Sequence, residues 1–284
     1  MFKSVMDQVW AFDCEWIPDP AAAKLLLGTD PSTSNLGAME ALWKNGGATD
    51  EDPRPFIRTI QSRVVSIAMV QRMQRGSEVR LNLLWLPRDV SDPAKNSESA
   101  IVGTFLNSIG KYRPQLVGFN SRAADIKILF QRAFVNGLST PDFCRRPDKP
   151  WEGPDYFARD NDCHVDLMEI LGGFGSKSVS LNDAAVLSGI PGKIGVCGDD
   201  VAQMWLDGQW REIVQYNCFD AITTYLVWLR LAHLGGFFDA EAYETEQDRV
   251  REMLESLCDE PETQFLEAYV EEWDRLGALK DELC

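Results

Sequence analysis

The chain has 284 residues, 45% of them hydrophobic and 25% charged, which is enough apolar material for a sizeable core. No apolar run reaches the roughly 18 residues of a membrane-spanning helix, and the N-terminus lacks a signal-peptide pattern. We therefore predict a cytoplasmic protein with no membrane partner. Seven scattered cysteines and two histidines argue against a zinc site and against a disulfide framework.

The net charge of −16 is concentrated at one end of the chain. Residues 239–284 hold 16 acidic and 4 basic side chains, which leaves 28 acidic and 24 basic side chains in residues 1–238. Extended duplex binding is not expected of such a chain, because that binding depends on dense positive charge. Local binding of a strand end is compatible with the near-neutral larger part.

The first half of the sequence predicts both strands and helices. A short apolar strand, Val9–Phe12, leads into Asp13, and the proline-rich residues 19–61 form an irregular stretch. Further elements of this half are predicted as helices at Ala21–Leu27, Leu36–Trp43, Ser97–Ile109 and Ser121–Val135, and as strands at Arg63–Gln71, Leu81–Leu86 and Gln115–Phe119.

The second half is mainly helical after a long surface loop predicted at Pro141–Asp162. Its predicted elements are a strand or helix start at Val165–Leu171, helices at Ser180–Leu187, Asp199–Leu206 and Gln209–Leu234, and two amphipathic helices near 239–257 and 262–279. Strands first, followed by alternating strands and helices, indicate an α/β protein with a mixed sheet and helices on both faces. The ligand site of such a sheet lies beyond the strand ends.

Three acidic motifs stand beside apolar segments. Asp13 and Glu15 share one face of the first strand, whereas Cys14 points to the other face. Two like charges side by side repel each other unless a cation lies between them. The alternative is an edge strand with one solvated face.

The second motif joins a strand end to a helix start. Asn120 follows the apolar strand, and Asp125 falls in the first turns of the next helix. The helix dipole alone also favours a carboxylate there.

In the third motif, Tyr216 and Asp220 are four residues apart and so share one face of a long apolar helix. The alternative interpretation of this motif is that Asp220 lies on the solvent-exposed face of the helix and Tyr216 lies at the margin of the core.

Together, these motifs resemble those of the DEDD (DnaQ-like) 3′–5′ exonuclease superfamily, in its tyrosine-bearing branch. Within that branch the chain is most similar to the predicted exonucleases akin to the proofreading domain of family-B DNA polymerases, over roughly residues 9–235. It departs from the family pattern at Ala124, where an aromatic residue is usual, and at Lys127, where a proline is frequent. The segments that carry the resemblance are Phe12–Trp16, Gly118–Asp125 and Tyr216–Asp220.

The resemblance implies an RNase H-like mixed sheet flanked by helices in residues 1–238, with 19–61 as an irregular insertion and 239–284 as an acidic helical extension. It also implies a catalytic set and a two-cation mechanism with Mg²⁺ or Mn²⁺. The metal ligands of that set would be Asp13, Glu15, Asp125 and Asp220. Tyr216 would orient the attacking water.

Further residues are candidates for binding the substrate. Asn120 would orient the strand end, and the rings of Trp16 and Phe119 would stack on a terminal base, unless they belong to the core. Four basic residues are weaker candidates for phosphate contacts: Arg122, Lys127, Arg132 and Lys177. Asp166 is expected to make structural hydrogen bonds rather than to bind metal.

The function indicated is hydrolysis of single-stranded DNA or RNA from the 3′ end, releasing nucleoside 5′-monophosphates. One alternative is a non-catalytic nucleic-acid-binding or scaffold module that keeps the fold and docks a protein partner through its acidic C-terminal helices. Another is a phosphodiesterase acting on small nucleotides. The sequence leaves open the choice of DNA or RNA and the oligomeric state.

Overall fold

A mixed five-stranded sheet forms the centre of the protein. The computed structural model describes residues 2–158, 161–173, 179–195 and 198–283. The strand order is β3-β2-β1-β4-β5, with β2 antiparallel to both β1 and β3, and with β4 and β5 parallel to β1. The strands are β1 (Gln8–Pro18), β2 (Ser62–Arg75), β3 (Glu78–Leu86), β4 (Gln115–Gly118) and β5 (His164–Asp166).

Helices cover both faces of this sheet, which confirms the predicted α/β class and its RNase H-like arrangement. The described residues form helices α1 (Pro20–Leu27), α2 (Asn35–Asn45), α3 (Glu98–Tyr112), α4 (Asp125–Val135), α5 (Pro141–Cys144), α6 (Leu167–Gly172), α7 (Leu181–Val186), α8 (Val201–Leu206), α9 (Trp210–Leu234), α10 (Ala240–Cys258) and α11 (Glu267–Leu283). No helix among these is long and apolar enough to cross a bilayer.

The central strand β1 is apolar on both faces because helices cover both. Val9 and Ala11 pack in the core that includes α9, whereas Trp10 and Phe12 pack in the core that includes α3. Strands buried on both sides carry near-continuous apolar runs of this kind. The apolar segment that precedes Asp13 is thus the middle of the sheet.

Residues 19–61, the predicted insertion, contain the two predicted short helices. Asp19 and Ser34 cap α1 and α2 with their side chains, accepting hydrogen bonds from backbone N–H groups. The two helices pack with α8 and the start of α9 in a third apolar cluster, which includes Trp43 and Tyr216. This packing places the insertion beside the third acidic motif.

The C-terminal helices α10 and α11 pack in the apolar core on the face of the sheet that α9 covers. Tyr243, Val250, Tyr269 and Trp273 lie in the same apolar core as α9. Glu246 of α10 is itself buried against the sheet. The acidic side chains of the tail are largely on the opposite, exposed faces.

Two predictions differ from the structure. Helix α4 begins at Asp125, and the prediction of a start at Ser121 was wrong because the Ser121 hydroxyl pairs with the buried His164 ring at 2.8 Å. The predicted surface loop at Pro141–Asp162 contains α5 and two buried rings, Phe143 and Tyr156, which are stacked with their centroids 5.8 Å apart. These rings bury apolar area against α3, which hydrophilic composition alone does not reveal.

Candidate active site

Three carboxylates, two from the central strand and one from a distant part of the sequence, lie close together. Asp13 and Glu15 project from the same face of β1, and α9 packs across that strand and contributes Asp220. One carboxylate oxygen of each residue lies within 4.8 Å of those of the other two. Glu15 is buried, and the other two are half-buried. The predicted convergence of these three residues is therefore present in the structure.

Asp125 lies next to this group but is not within the same 4.8 Å set. It is the first residue of α4 and lies beside Cys14 of β1. Its Oδ1 atom is buried and has no hydrogen-bond partner among the described residues. A buried carboxylate oxygen without a partner is costly, and a cation would compensate that cost.

Helix α9 places the tyrosine and the third-motif acid together, as the four-residue spacing predicts. The buried Tyr216 hydroxyl lies beside the Asp220 carboxylate. Burial, followed by the negative charge of Asp220, raises the pKa of Tyr216. The tyrosine therefore remains a protonated hydrogen-bond donor at neutral pH.

The carboxyl groups of the cluster resist ionisation. Burial, followed by the charges of Asp125 and Glu15, holds the pKa of Asp13 well above its usual range. Burial likewise raises the pKa of Asp220 to about 6 and that of Asp125 to about 7. These shifts express a concentration of negative charge that the surrounding protein leaves largely uncompensated.

Two residues that the sequence analysis did not assign also act on the cluster. Asn217 donates from Nδ2 to Asp13 Oδ2 at 2.9 Å, and its Oδ1 accepts a hydrogen bond from Ser66 at 3.2 Å. Burial is the main cause of the raised pKa of Glu15, and the positive charge of Lys193 acts in the opposite direction, lowering it. Asn217 follows Tyr216 directly, which was an available signal, whereas Lys193 is a lone lysine in a loop.

The loop after β4 is fixed by a buried aspartate. Asn120 has a φ of 60°, a left-handed conformation in which asparagine is favoured among residues with a side chain. Asp166 accepts hydrogen bonds from the backbone N–H groups of Asn120 at 3.0 Å and Arg122 at 2.9 Å. Asp166 also caps α6. The expected structural role of Asp166 is consistent with these contacts.

The two rings proposed for substrate binding lie in different surroundings. Phe119 is half-buried and packs against the core beneath α9. Trp16 is half-buried and lines a small cavity with residues of the insertion. Trp16 thus combines proximity to the carboxylates with a cavity beside it.

One suggested phosphate contact was wrong. Arg132 is buried, and its guanidinium lies 2.7 Å from both Asp19 and Glu98. Its charge is therefore paired inside the protein and does not face a substrate. Arg122 is held by Glu169 at 3.5 Å, and Lys127 is exposed on α4. Lys177 lies outside the described residues.

Comparison with known protein families defines the class of protein. The family of predicted 3′–5′ exonucleases related to the exonuclease domain of PolB matches residues 54–273. The chain belongs to this family. The matched segment contains Asn120, Asp125, Tyr216 and Asp220, and begins after Asp13 and Glu15. No curated protein matches the chain.

The donor set fits a divalent metal ion. Hard cations such as Mg²⁺ and Mn²⁺ prefer oxygen ligands, and the cluster offers carboxylate oxygens only. The unpartnered Oδ1 of Asp125 and the raised pKa values of the acids both indicate a centre that lacks positive charge. Family and chemistry together therefore support divalent metal use.

Proposed function

We propose that the chain is a two-metal 3′–5′ exonuclease of the tyrosine-bearing DEDD branch, acting on single-stranded DNA or RNA. The observation that carries the proposal is the meeting of Asp13, Glu15 and Asp220 within 4.8 Å, beside the buried Asp125. A strand near the N-terminus and a helix some 200 residues later supply these acids, and the family match supports their use in nucleic-acid hydrolysis.

Each acid has a role in this proposal. Asp13, Glu15 and Asp220 would hold one cation. Asp13 would also contribute to holding a second, with Asp125 acting directly or through water. The cations, when bound, supply Lewis-acid stabilisation of the attacking and leaving oxygens and lower the pKa of water. Asn217 fixes the orientation of Asp13, because its amide is held in turn by Ser66.

Tyr216 positions the attacking water with its hydroxyl group. Its pKa is raised by burial, so the hydroxyl donates or accepts a hydrogen bond without giving up its proton. Lys193 contributes positive charge where the phosphate would approach the acids, since it already acts on Glu15 and Asp220. Asn120, Trp16 and Phe119 are proposed to bind the strand end.

The overall negative charge favours a strand end over an extended duplex. A chain with a net charge of −16 cannot neutralise a long series of phosphates, whereas an end requires contacts to only a few nucleotides. Hydrolysis from the 3′ end would release nucleoside 5′-monophosphates. Cytoplasmic location, the division at residue 238 and docking of a partner on the acidic C-terminal helices stay predictions.

The proposal is tested with 5′-labelled single strands of DNA and RNA in Mg²⁺ or Mn²⁺. We expect a ladder of progressively shorter products that disappears with a chelator and with Asp13→Asn. The matched control is Glu212→Gln, an exposed acid on α9, which should leave the ladder unchanged. Wild-type protein that binds the strands and leaves them intact would instead support the non-catalytic module.

A dinucleotide substrate separates the exonuclease from a small-nucleotide phosphodiesterase. An exonuclease that uses several contacts along the strand should hydrolyse a longer oligomer with a higher kcat/KM than the dinucleotide. Equal or better hydrolysis of the dinucleotide would favour the phosphodiesterase. The ratio of rates on DNA and RNA strands assigns the preferred sugar.

A further inference from the structure

A cavity of about 150 Å³ lies beyond the acidic end of β1, between that strand, the insertion and α8. Aromatic rings and a guanidinium group form much of its wall. The residues that matter for its chemistry are Trp16, Trp43, Arg54, Phe56, Gly198 and Ala202.

This cavity adjoins the candidate active site on two sides. Trp16 follows Glu15 directly, and the pairing register with β2 shifts between these two residues. Such a shift re-aims the side chains that follow it. On the other side, a Cβ atom added to Gly198 would lie 3.9 Å from the Tyr216 hydroxyl. A group in the cavity would therefore be next to the reacting phosphate.

The walls are of the kind that stack on flat rings. The guanidinium of Arg54 lies over the Trp43 indole, 5.2 Å from the ring centroid. Trp43 is only 7% exposed, whereas Phe56, which also lines the cavity, is 70% exposed. Nucleobases stack both on aromatic rings and on guanidinium planes.

The charge of the protein makes such stacking important for binding. The acids of the cluster repel a phosphate strand until cations bind, and the chain as a whole is strongly negative. Binding energy from base stacking does not depend on neutralising phosphates.

We propose that this cavity binds one nucleobase of the strand, held between Phe56 and the Trp43–Arg54 wall and bordered by Trp16. Its volume is about half the roughly 300 Å³ at which drug-sized ligand pockets begin, so it suits one base rather than a whole nucleotide. The inference rests on the proposed function for the identity of the ligand, because the nuclease substrate supplies the base.

Fluorescence of a single-stranded oligonucleotide with 2-aminopurine at its 3′ end tests the proposal. The full chain is titrated with Ca²⁺ in place of Mg²⁺, so that binding is read separately from hydrolysis. Phe56→Ala and Arg54→Ala are compared with Phe134→Ala, which removes a ring that is 79% exposed on α4 and outside the cavity. A second oligonucleotide has an abasic 3′ end.

We expect the wild type to quench the terminal base on binding, and Phe56→Ala to raise Kd about fivefold or more. Phe134→Ala should bind as the wild type does, and the abasic end should be insensitive to Phe56→Ala. The assignment is overturned if Phe56→Ala binds like Phe134→Ala, if base-bearing and abasic ends bind equally, or if the wild type does not bind.

These outcomes are independent of the hydrolysis assay. Stacking in the cavity without any hydrolysis in Mn²⁺ or Mg²⁺ would refute the proposed exonuclease and leave the base site in place. Hydrolysis by a protein whose Phe56→Ala variant binds the strand normally would refute the base site alone.

Discussion

The protein buries acidic residues in two contrasting settings. At one, Arg132 of α4 lies 2.7 Å from Asp19 and Glu98, so that a guanidinium compensates both carboxylates. In the other setting, Asp13 and Glu15 lie close to further acids. Asp13 accepts a hydrogen bond from the Asn217 amide, and the positive charge of Lys193 acts on Glu15. Both settings contain buried carboxylates, yet only in the first does a guanidinium lie against them.

A second balanced setting supports the same distinction. Arg72 of β2 and Glu246 of α10 are both 2% exposed and are joined at 2.8 Å. Buried charged groups are tolerated when they are paired with an opposite charge. A buried charged group without such a partner indicates a functional role rather than a structural one. The contrast teaches that burial of a carboxylate alone does not mark a site, whereas burial without a positive partner does.

The largest expected effect is on stability at the balanced setting. Arg132→Ala leaves Asp19 and Glu98 buried without their cation, so we expect the free energy of unfolding to fall by about 3–5 kcal/mol. Chemical denaturation measures it. The matched control is Arg80→Ala, which removes an exposed pair with Glu78 and should cost less than about 1 kcal/mol. Equal losses in both variants would contradict the distinction.

At the unbalanced setting, the loss of an acid should affect activity instead. Asp220→Asn removes one ligand of the proposed cation and should lower kcat/KM on a single strand more than about 100-fold. In chelator at neutral pH the same variant should be more stable than the wild type, because one repelling charge is gone. Thermal unfolding checks this second result. A variant that is inactive and also less stable would indicate a structural acid.

A smaller effect is expected from the residue that orients Asp13. Asn217→Ala removes the 2.9 Å hydrogen bond to that carboxylate and should lower activity by about 10- to 100-fold. The metal dependence should shift to higher Mg²⁺ concentration, which a merely structural loss would not produce. Asn217→Asp serves as a comparison, since it adds negative charge and should restore nothing. Full activity in Asn217→Ala would exclude the positioning role.

The sequence predicts on which faces the acids of the three motifs lie, because each motif is local. Alternation along β1 and the four-residue spacing on α9 fix the faces on which Asp13, Glu15, Tyr216 and Asp220 project. Their mutual distance is a tertiary property, and the resemblance to a known family supplied that expectation. Asn217 was not assigned because its role depends on a partner more than 200 residues away.

The remaining differences also have tertiary causes. Ser121 carries the local signal of a helix cap, yet its hydroxyl pairs with His164 on β5, and α4 begins at Asp125 instead. Arg132 has the composition of a solvated helix residue, and only its packing against Asp19 and Glu98 reveals it as a buried partner. Local pattern cannot supply such long-range contacts.

The smallest predicted effect concerns the pH dependence of stability. A carboxyl whose pKa is higher in the folded than in the unfolded protein binds more protons when folded, so its contribution to stability falls as pH rises. For Asp220, with a folded pKa of about 6, the penalty is absent below about pH 4 and complete above about pH 7. In chelator, Asp220→Asn should therefore match the wild type near pH 4 and exceed its stability near pH 7.5. We expect a difference on the order of 1–2 kcal/mol from denaturation at the two pH values, since each pKa unit corresponds to about 1.4 kcal/mol and the group is partly solvated. Saturating Mg²⁺ should abolish or reverse that difference, because a bound cation stabilises the wild-type carboxylate and not the amide.

A difference in stability that is independent of both pH and Mg²⁺ would show that the protein itself compensates the charge of Asp220, as it compensates the charges of Asp19 and Glu98.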